Sequence, residues 1–385
     1  MTPGARIQAS AEILDEILAG VPAEKALTGW ARRSRFAGSK DRAAVRDHVF
    51  QALRCRRSYA CLGGGETGRA LMLGALRAGG RDPAEVFTGE GHSPAVLSDA
   101  EQAAGQAPET LGDRFDLPDW MIPHFEGALG AKWCAAAQAL TGRAPVVLRV
   151  NLRKATVAVA LAALAEDGVE AKPAEIADTA LVVCAGARRV AASRAYREGL
   201  IELQDGSSQA AMECLAVPPG ARVLDYCAGG GGKVLALAAR AEAEWFAHDA
   251  APARMRDLPD RARRAGVCVT LLEEAVKAGS FDLVLCDVPC SGSGTWRRTP
   301  DAKWRMTPER LSELTEVQAA ILDRAAGLVT PGGRLAYATC SLFCEENEAQ
   351  VEAFVRRQPD WRLATQRHWT VSDQGDGFFL AIFER

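Results

Sequence analysis

The sequence predicts an α/β protein in three parts. An all-helical segment with a connector covers residues 1–135. A small α+β segment covers 136–216, and a parallel, doubly wound sheet domain covers 217–385. Three observations predict this. Apolar residues recur at helical spacing near the N-terminus, as in Ala11, Ile13, Leu14, Ile17 and Leu18. Short apolar runs alternate with helical patterns from residue 217 onward, as in a βαβ array. A glycine-rich turn joins the first of those runs to the helix that follows it.

The helical pattern continues through Val45, Val49, Phe50 and Leu53 and breaks at Leu62-Gly63-Gly64-Gly65. Residues 81–118 are rich in Gly, Pro, Ala and acids and read as a connector. Val146–Val150, Leu181–Cys184 and Gly199–Leu203 are strand candidates, with a helix over Ala158–Glu166 between the first two. Val217-Pro218-Pro219-Gly220 reads as a turn or hinge. Beyond it the strand candidates are Arg222–Tyr226, Glu244–His248, Val267–Leu272, Phe281–Cys286 and Arg334–Tyr337. Helices are expected over 252–265, 308–328 and 345–357, and the run Phe378–Phe383 is apolar and β-prone.

Composition narrows the class. With 385 residues, 48% hydrophobic and 25% charged, the chain resembles an ordinary globular protein and excludes collagen-like or wholly disordered classes. No apolar run reaches membrane-spanning length and the N-terminus lacks a signal core, so a cytoplasmic, membrane-free protein is expected. The 11 cysteines are odd in number and include no CxxC pair, which points to reduced thiols and no metal site. Net charge is −3, yet residues 1–60 hold 11 Lys/Arg against 6 Asp/Glu. The arginines there fit either a solvated helical face or a contact with RNA or protein.

The turn after the first sheet strand reads Asp225-Tyr226-Cys227-Ala228-Gly229-Gly230-Gly231-Gly232-Lys233. Glycines allow positive φ and close backbone approach, and a helix start presents N–H groups to a ligand. The dinucleotide pattern GxGxxG fails because Val234 holds its last position, and Val234 after Lys233 also breaks the P-loop frame. An acid ending the strand before such a loop suits S-adenosylmethionine, which carries a sulfonium and an amino-acid group and no pyrophosphate. Asp249, ending the next strand, is placed for a ribose.

Two cysteines follow two later strands: Cys290 in Asp287-Val288-Pro289-Cys290-Ser291 and Cys340 in Ala338-Thr339-Cys340-Ser341. In a doubly wound sheet both strand ends open on the crevice of the glycine loop. Methylation of a pyrimidine carbon needs such a set. Carbon 5 of cytosine becomes nucleophilic only once a thiolate adds to carbon 6. A carboxyl near ring nitrogen 3 steadies the charge, and a base then removes the carbon-5 proton.

The runs 225–233, 287–305 and 337–341 resemble the motifs of the Sun/Fmu family of RNA cytosine-5 methyltransferases, over roughly residues 140–385. The stretches Ser39–Val45 and Ala52–Arg54 resemble a NusB-like helical RNA-binding domain. The resemblance implies a Rossmann-like S-adenosylmethionine-dependent methyltransferase domain with a mixed seven-stranded sheet, behind an α+β RNA-binding subdomain and the NusB-like domain. It implies Cys340 as nucleophile, Cys290 as the cysteine of product release, and Asp287 and Lys233 beside the reacting base. Cys227, Ala228, Gly229, Gly230, Gly231, Gly232, Lys233, Asp249 and Asp287 would hold the cofactor. Where relatives face adenine with an aspartate after the third strand, this chain offers Glu273 and Glu274.

Arg297, Arg298, Lys303 and Arg305 flank Trp296 and Trp304, a mixture that suits a phosphate backbone and an unstacked base. The expected partner is therefore RNA, 16S rRNA by resemblance, with a single-stranded or flipped cytosine, and the expected state is a monomer. A tRNA substrate and a non-catalytic ribosome-assembly RNA-binding protein are the alternatives. A DNA cytosine-5 methyltransferase would not need Cys340, and a nicotinamide oxidoreductase is disfavoured by the broken fingerprint.

Overall fold

The computed structural model describes residues 1–272 and 278–385. By its contacts the chain forms two compact units, Met1–Arg143 with Trp296–Arg305, and Ala144–Thr295 with Met306–Arg385.

The first unit is helical, as its periodicity predicts. Its leading helices are α1 (Pro3–Leu18), α2 (Ala23–Arg33), α3 (Ser39–Arg54), α4 (Arg56–Gly63) and α5 (Gly68–Ala78). Thr2 caps α1 by accepting the Ala5 N–H, and Pro3 follows it, where a missing N–H costs nothing. The predicted glycine break is the end of α4, where Gly64 takes φ +79°. Ile7, Ile13, Leu14, Val45, Val49, Leu53 and Leu71 form the shared core. A Cβ on Gly74 would fall 1.9 Å from the Tyr59 carbonyl oxygen, so glycine lets α5 lie directly on α4. The connector also holds short helices, Asp99–Ala103 and Leu111–Phe115, each opened by a capping box.

The second unit carries two sheets. The smaller joins β1 (Val147–Val150), β2 (Glu170–Pro173), β3 (Ala180–Ala185) and β4 (Ile201–Leu203) in the order β2-β3-β1-β4, antiparallel throughout. Three of these strands match the sequence candidates. β2 was not expected, because an edge strand of Glu, Ala, Lys and Pro is mostly exposed and has no apolar run.

The larger sheet joins β5 (Arg222–Asp225), β6 (Glu244–Ala247), β7 (Val269–Leu271), β8 (Phe281–Asp287), β9 (Val329–Thr339), β10 (Arg362–Trp369) and β11 (Phe378–Glu384). Its order is β10-β11-β9-β8-β5-β6-β7, parallel from β5 to β9 and antiparallel at β11. Both faces are buried. Val223, Leu283 and Leu285 face one core, and Leu224, Val284 and Cys286 the other, so these strands read as unbroken apolar runs. β10 escaped the sequence reading because nearly all of it is exposed. The helix expected over 252–265 divides into a 3₁₀ turn, Pro252–Met255, and a helix, Leu258–Ala265. Pro259 supplies no N–H to a turn before it, which favours a fresh start there. β5 lies between β6 and β8, so chain order reverses at β5 and a crevice opens beyond the carboxyl ends of these strands.

Candidate active site

Asp225, the last residue of β5, is 1% exposed. Its Oδ2 accepts the Val234 N–H at 3.2 Å, while its Oδ1 is buried without a partner. Burial, and next the charge of Asp287, push its carboxyl up to about 7 against the pull of Lys233. Beyond it Gly229 and Gly231 take φ +50° and +76°. A Cβ on Gly231 would fall 2.2 Å from Leu258 Cδ1, and one on Gly230 2.8 Å from Arg261 Nη1. The loop is held from behind. Arg261 donates to the Gly230 carbonyl. Arg149 and Gln204 donate to the Gly232 carbonyl at 2.8 and 3.1 Å. Asp249 accepts the N–H groups of Gly229 and Ala251, each at 2.9 Å, and pairs with Arg254 at 3.2 Å. The expected ribose carboxylate therefore already braces the loop, and would share its remaining lone pairs with a ligand.

β8 and β9 are parallel neighbours with Asp287 level with Ala338, so the loops carrying Cys290 and Cys340 leave the sheet side by side. The two sulfurs stand 3.4 Å apart and both cysteines are half-buried. The hydrogen bond with Cys340, then burial, then the charges of Cys340 and Glu346 hold the Cys290 thiol well above its usual range. Thr295 Oγ1 lies 4.0 Å from Cys340 Sγ, and the Gly294 N–H donates to the Cys340 carbonyl at 2.9 Å. At the neighbouring strand ends Lys233 Nζ meets Asp287 Oδ2 at 2.6 Å and sits 5.2 Å above the Phe378 ring. Burial lowers the Lys233 pKa, but Asp287, Asp225 and Cys340 more than offset it, and the net shift is upward.

The structure thus gathers Cys340, Cys290, Asp287, Lys233 and the glycine loop in one unit. It treats the expected RNA contacts differently. Arg297 and Lys303 are 4% and 1% exposed and belong to the first unit. Lys303 Nζ donates to the carbonyls of Asp116 and Arg54 at 2.6 and 3.1 Å, and Arg54 Nε donates to the Arg297 carbonyl at 2.7 Å. Trp296 is buried too, and Trp304 Nε1 donates to the Leu53 carbonyl at 2.6 Å. The reason is local: the helix Pro300–Arg305 turns Lys303 inward onto α3. Of the four expected basic contacts, Arg298 and Arg305 remain exposed. Glu273 and Glu274, the expected adenine-side acids, lie outside the described residues.

Arg149, Arg261 and Glu346 were not expected at the site. Arg149 gave a signal, one charge inside the apolar strand Val147–Val150. A buried charge there needs a fixed partner. Arg261 and Glu346 sit among ordinary helical charge and gave none.

A sheet in this order, with an acid-ended glycine loop at its reversal point, defines the Rossmann-like class of methyltransferases. A family model described as 16S rRNA methyltransferase RsmB/F matches residues 212–383, and one described as RsmF/B-like ferredoxin-like domain matches 117–188. Ribosomal RNA small subunit methyltransferase B of Salmonella arizonae is 34% identical over 288 residues, covering 71% of this chain and 67% of the relative. The protein of the same name from Klebsiella pneumoniae is 34% identical over 290 residues, covering 70% and 66%. Among solved structures, PH0851 superposes with a TM-score of 0.80 at 25% identity, over 100% of this chain and 99% of that one. A methyltransferase homologue from Pyrococcus horikoshii gives 0.61 at 24% identity, over 71% and 96%. The chain belongs to the RsmB/F (Sun/Fmu) family of 16S rRNA methyltransferases and is an RNA methyltransferase.

Proposed function

We propose that the protein methylates carbon 5 of a cytosine in RNA, with S-adenosyl-L-methionine as donor, through a bond between Cys340 and carbon 6 of the ring. The observation that carries this is the 3.4 Å approach of the Cys340 and Cys290 sulfurs at the ends of neighbouring parallel strands. The names of the bacterial relatives support small-subunit rRNA as the substrate. Cys227 to Lys233, with Asp249 and Asp287, would hold the cofactor. The partnerless Asp225 oxygen and the positive φ of Gly229 and Gly231 fit such a ligand. When bound, the cofactor supplies an electrophilic methyl group on a sulfonium sulfur. Arg32, Arg35, Arg42 and Arg46, which line one concavity formed by α2, α3 and the turn between them, support an RNA-binding role for the helical unit.

The chain's own residues divide the work. The two sulfurs meet at 3.4 Å, where either can donate; for attack the Cys340 thiol releases its proton to solvent while Cys290 keeps its own. Cys340 then adds to carbon 6, and the ring's 5,6 electron pair becomes available at carbon 5. The Asp287–Lys233 pair faces the charge that develops on the ring. As a thioether, Cys340 no longer bears charge. The largest upward push on Cys290 then disappears, so its thiol can release its proton to solvent, and the resulting thiolate takes the carbon-5 proton. Loss of that proton returns the C–S electron pair to Cys340 and frees the product. A duplex hides the ring faces, so the target is single-stranded or flipped.

The test is methylation of purified small-subunit rRNA, with mapping of 5-methylcytosine. Cys340→Ala should form no adduct and transfer no methyl group. Cys290→Ala should accumulate a denaturant-stable protein–RNA adduct. An adduct formed by Cys340→Ala and lost in Cys290→Ala would overturn the assignment of roles.

A further inference from the structure

Glu346 ends a 3₁₀ turn, Cys344–Glu346, just past β9, and is wholly buried. Its Oε1 accepts the Ser291 N–H at 2.7 Å and Gln318 Nε2 at 2.9 Å. Its Oε2 accepts the Ser291 hydroxyl at 2.5 Å and the Ser341 hydroxyl. No ion pair to it is formed among the described residues, so four neutral donors serve one interior carboxylate. Such a group is retained only where those donors are well fixed, because an interior charge is otherwise costly.

The identity of the donors gives the arrangement its meaning. Ser291 follows Cys290 and Ser341 follows Cys340. The two hydroxyls also meet each other at 3.2 Å, and Ser293 Oγ lies 3.0 Å from Ser341 Oγ. Gln318 reaches the same carboxylate from the helix Pro308–Ala326 while donating to the carbonyl of Pro289, the residue before Cys290. Tyr337 of β9 donates to the Glu346 carbonyl at 2.6 Å. One side chain therefore grips both cysteine loops next to their sulfurs and ties them to a helix, while its own main-chain carbonyl is held by a strand.

We infer that Glu346 is a positioning residue, fixing the Cys290 and Cys340 loops at the spacing that lets one thiol serve the other. The inference rests on the methyl-transfer reading for its purpose, but not for its geometry. A second consequence follows from charge. The Glu346 carboxylate adds, after the Cys340 hydrogen bond and burial, to the upward push on Cys290, and so favours the protonated thiol.

The experiment uses the full chain and needs neither RNA nor cofactor. Dibromobimane becomes fluorescent when it bridges two nearby thiols, and Cys290→Ala supplies the background. Glu346→Gln keeps the shape but turns an amide nitrogen toward donors. It should lower the Cys290-dependent bridging rate at least fivefold, with an unchanged circular dichroism spectrum. Glu346→Asp, which keeps the acceptors on a shorter stem, should recover part of that rate. In a Cys340→Ser background, Glu346→Gln should move the pH midpoint of Cys290 alkylation downward, which a merely structural role would not do. Bridging in Glu346→Gln equal to wild type would overturn the inference. Should Glu346→Gln fail to fold, Ser341→Ala removes one donor, and an undiminished bridging rate there would overturn it equally. Glutamate-dependent bridging in a protein that never forms an RNA adduct would uphold the positioning and overturn only the methyl-transfer reading.

Discussion

Asp225 shows how one residue trades stability for a site. Its carboxyl is pushed up to about 7 from a model-peptide value of 3.8 by burial and by Asp287. A folded pKa raised above the unfolded one contributes stability that is complete below the unfolded pKa and is lost as pH rises through the folded pKa. Asp225 therefore favours the fold at pH 4 and opposes it at pH 8. Urea unfolding of wild type and Asp225→Asn should show the wild type losing, relative to the variant, on the order of 3 kcal/mol between pH 5 and pH 8. Parallel pH profiles would remove this account. The same substitution should weaken S-adenosylmethionine binding at least tenfold by calorimetry, because the partnerless oxygen becomes half of an amide.

At the scale of elements, the site is a product of loop-on-loop contact. Gly294 donates to the Cys340 carbonyl and accepts the Gly377 N–H at 3.0 Å. A Cβ on Gly294 would lie 2.5 to 2.7 Å from the Gly377 backbone, where no flexible side chain can yield. Gly294→Ala should therefore part the Cys290 loop from the chain before β11. We expect a loss of about 1–3 kcal/mol in stability and at least a tenfold fall in methyl transfer, read by denaturant unfolding and single-turnover kinetics. Unchanged kinetics would mean that the loop tolerates a new spacing.

At the scale of the molecule, the run 296–305 leaves the Cys290 loop and folds with the helical unit. Burial pulls the Lys303 amine down to about 8. For a base whose folded pKa is depressed, stability increases as pH rises from the folded toward the unfolded pKa. Amide exchange in α3 should therefore slow relative to a Lys303→Met variant as pH rises from 8 toward 10, after correction for intrinsic rates. Lys303→Met should also cost about 1–3 kcal/mol near neutral pH, because two buried carbonyls lose their donor. Arg298→Ala and Arg305→Ala should weaken RNA binding and each reduce the salt slope by about 1. Equal effects of all three variants on RNA affinity would restore Lys303 as a surface contact.

The sequence alone determined the alternation of elements, the glycine loop and the candidate cysteines, because these are local. Period-2 and period-3.6 patterns report burial faces, and a glycine run after an acid reports a tight turn. It missed β2 and β10, whose exposed residues carry no burial pattern. The tertiary structure decided which charges face water. Lys303 and Arg298 are alike as letters, yet one lies against the carbonyls of Arg54 and Asp116 and the other is exposed. It also decided that Glu346, unremarkable in a helical stretch, would join two loops distant in sequence. Side chains far apart along the chain meet only after the sheet is paired, and no local pattern records that meeting.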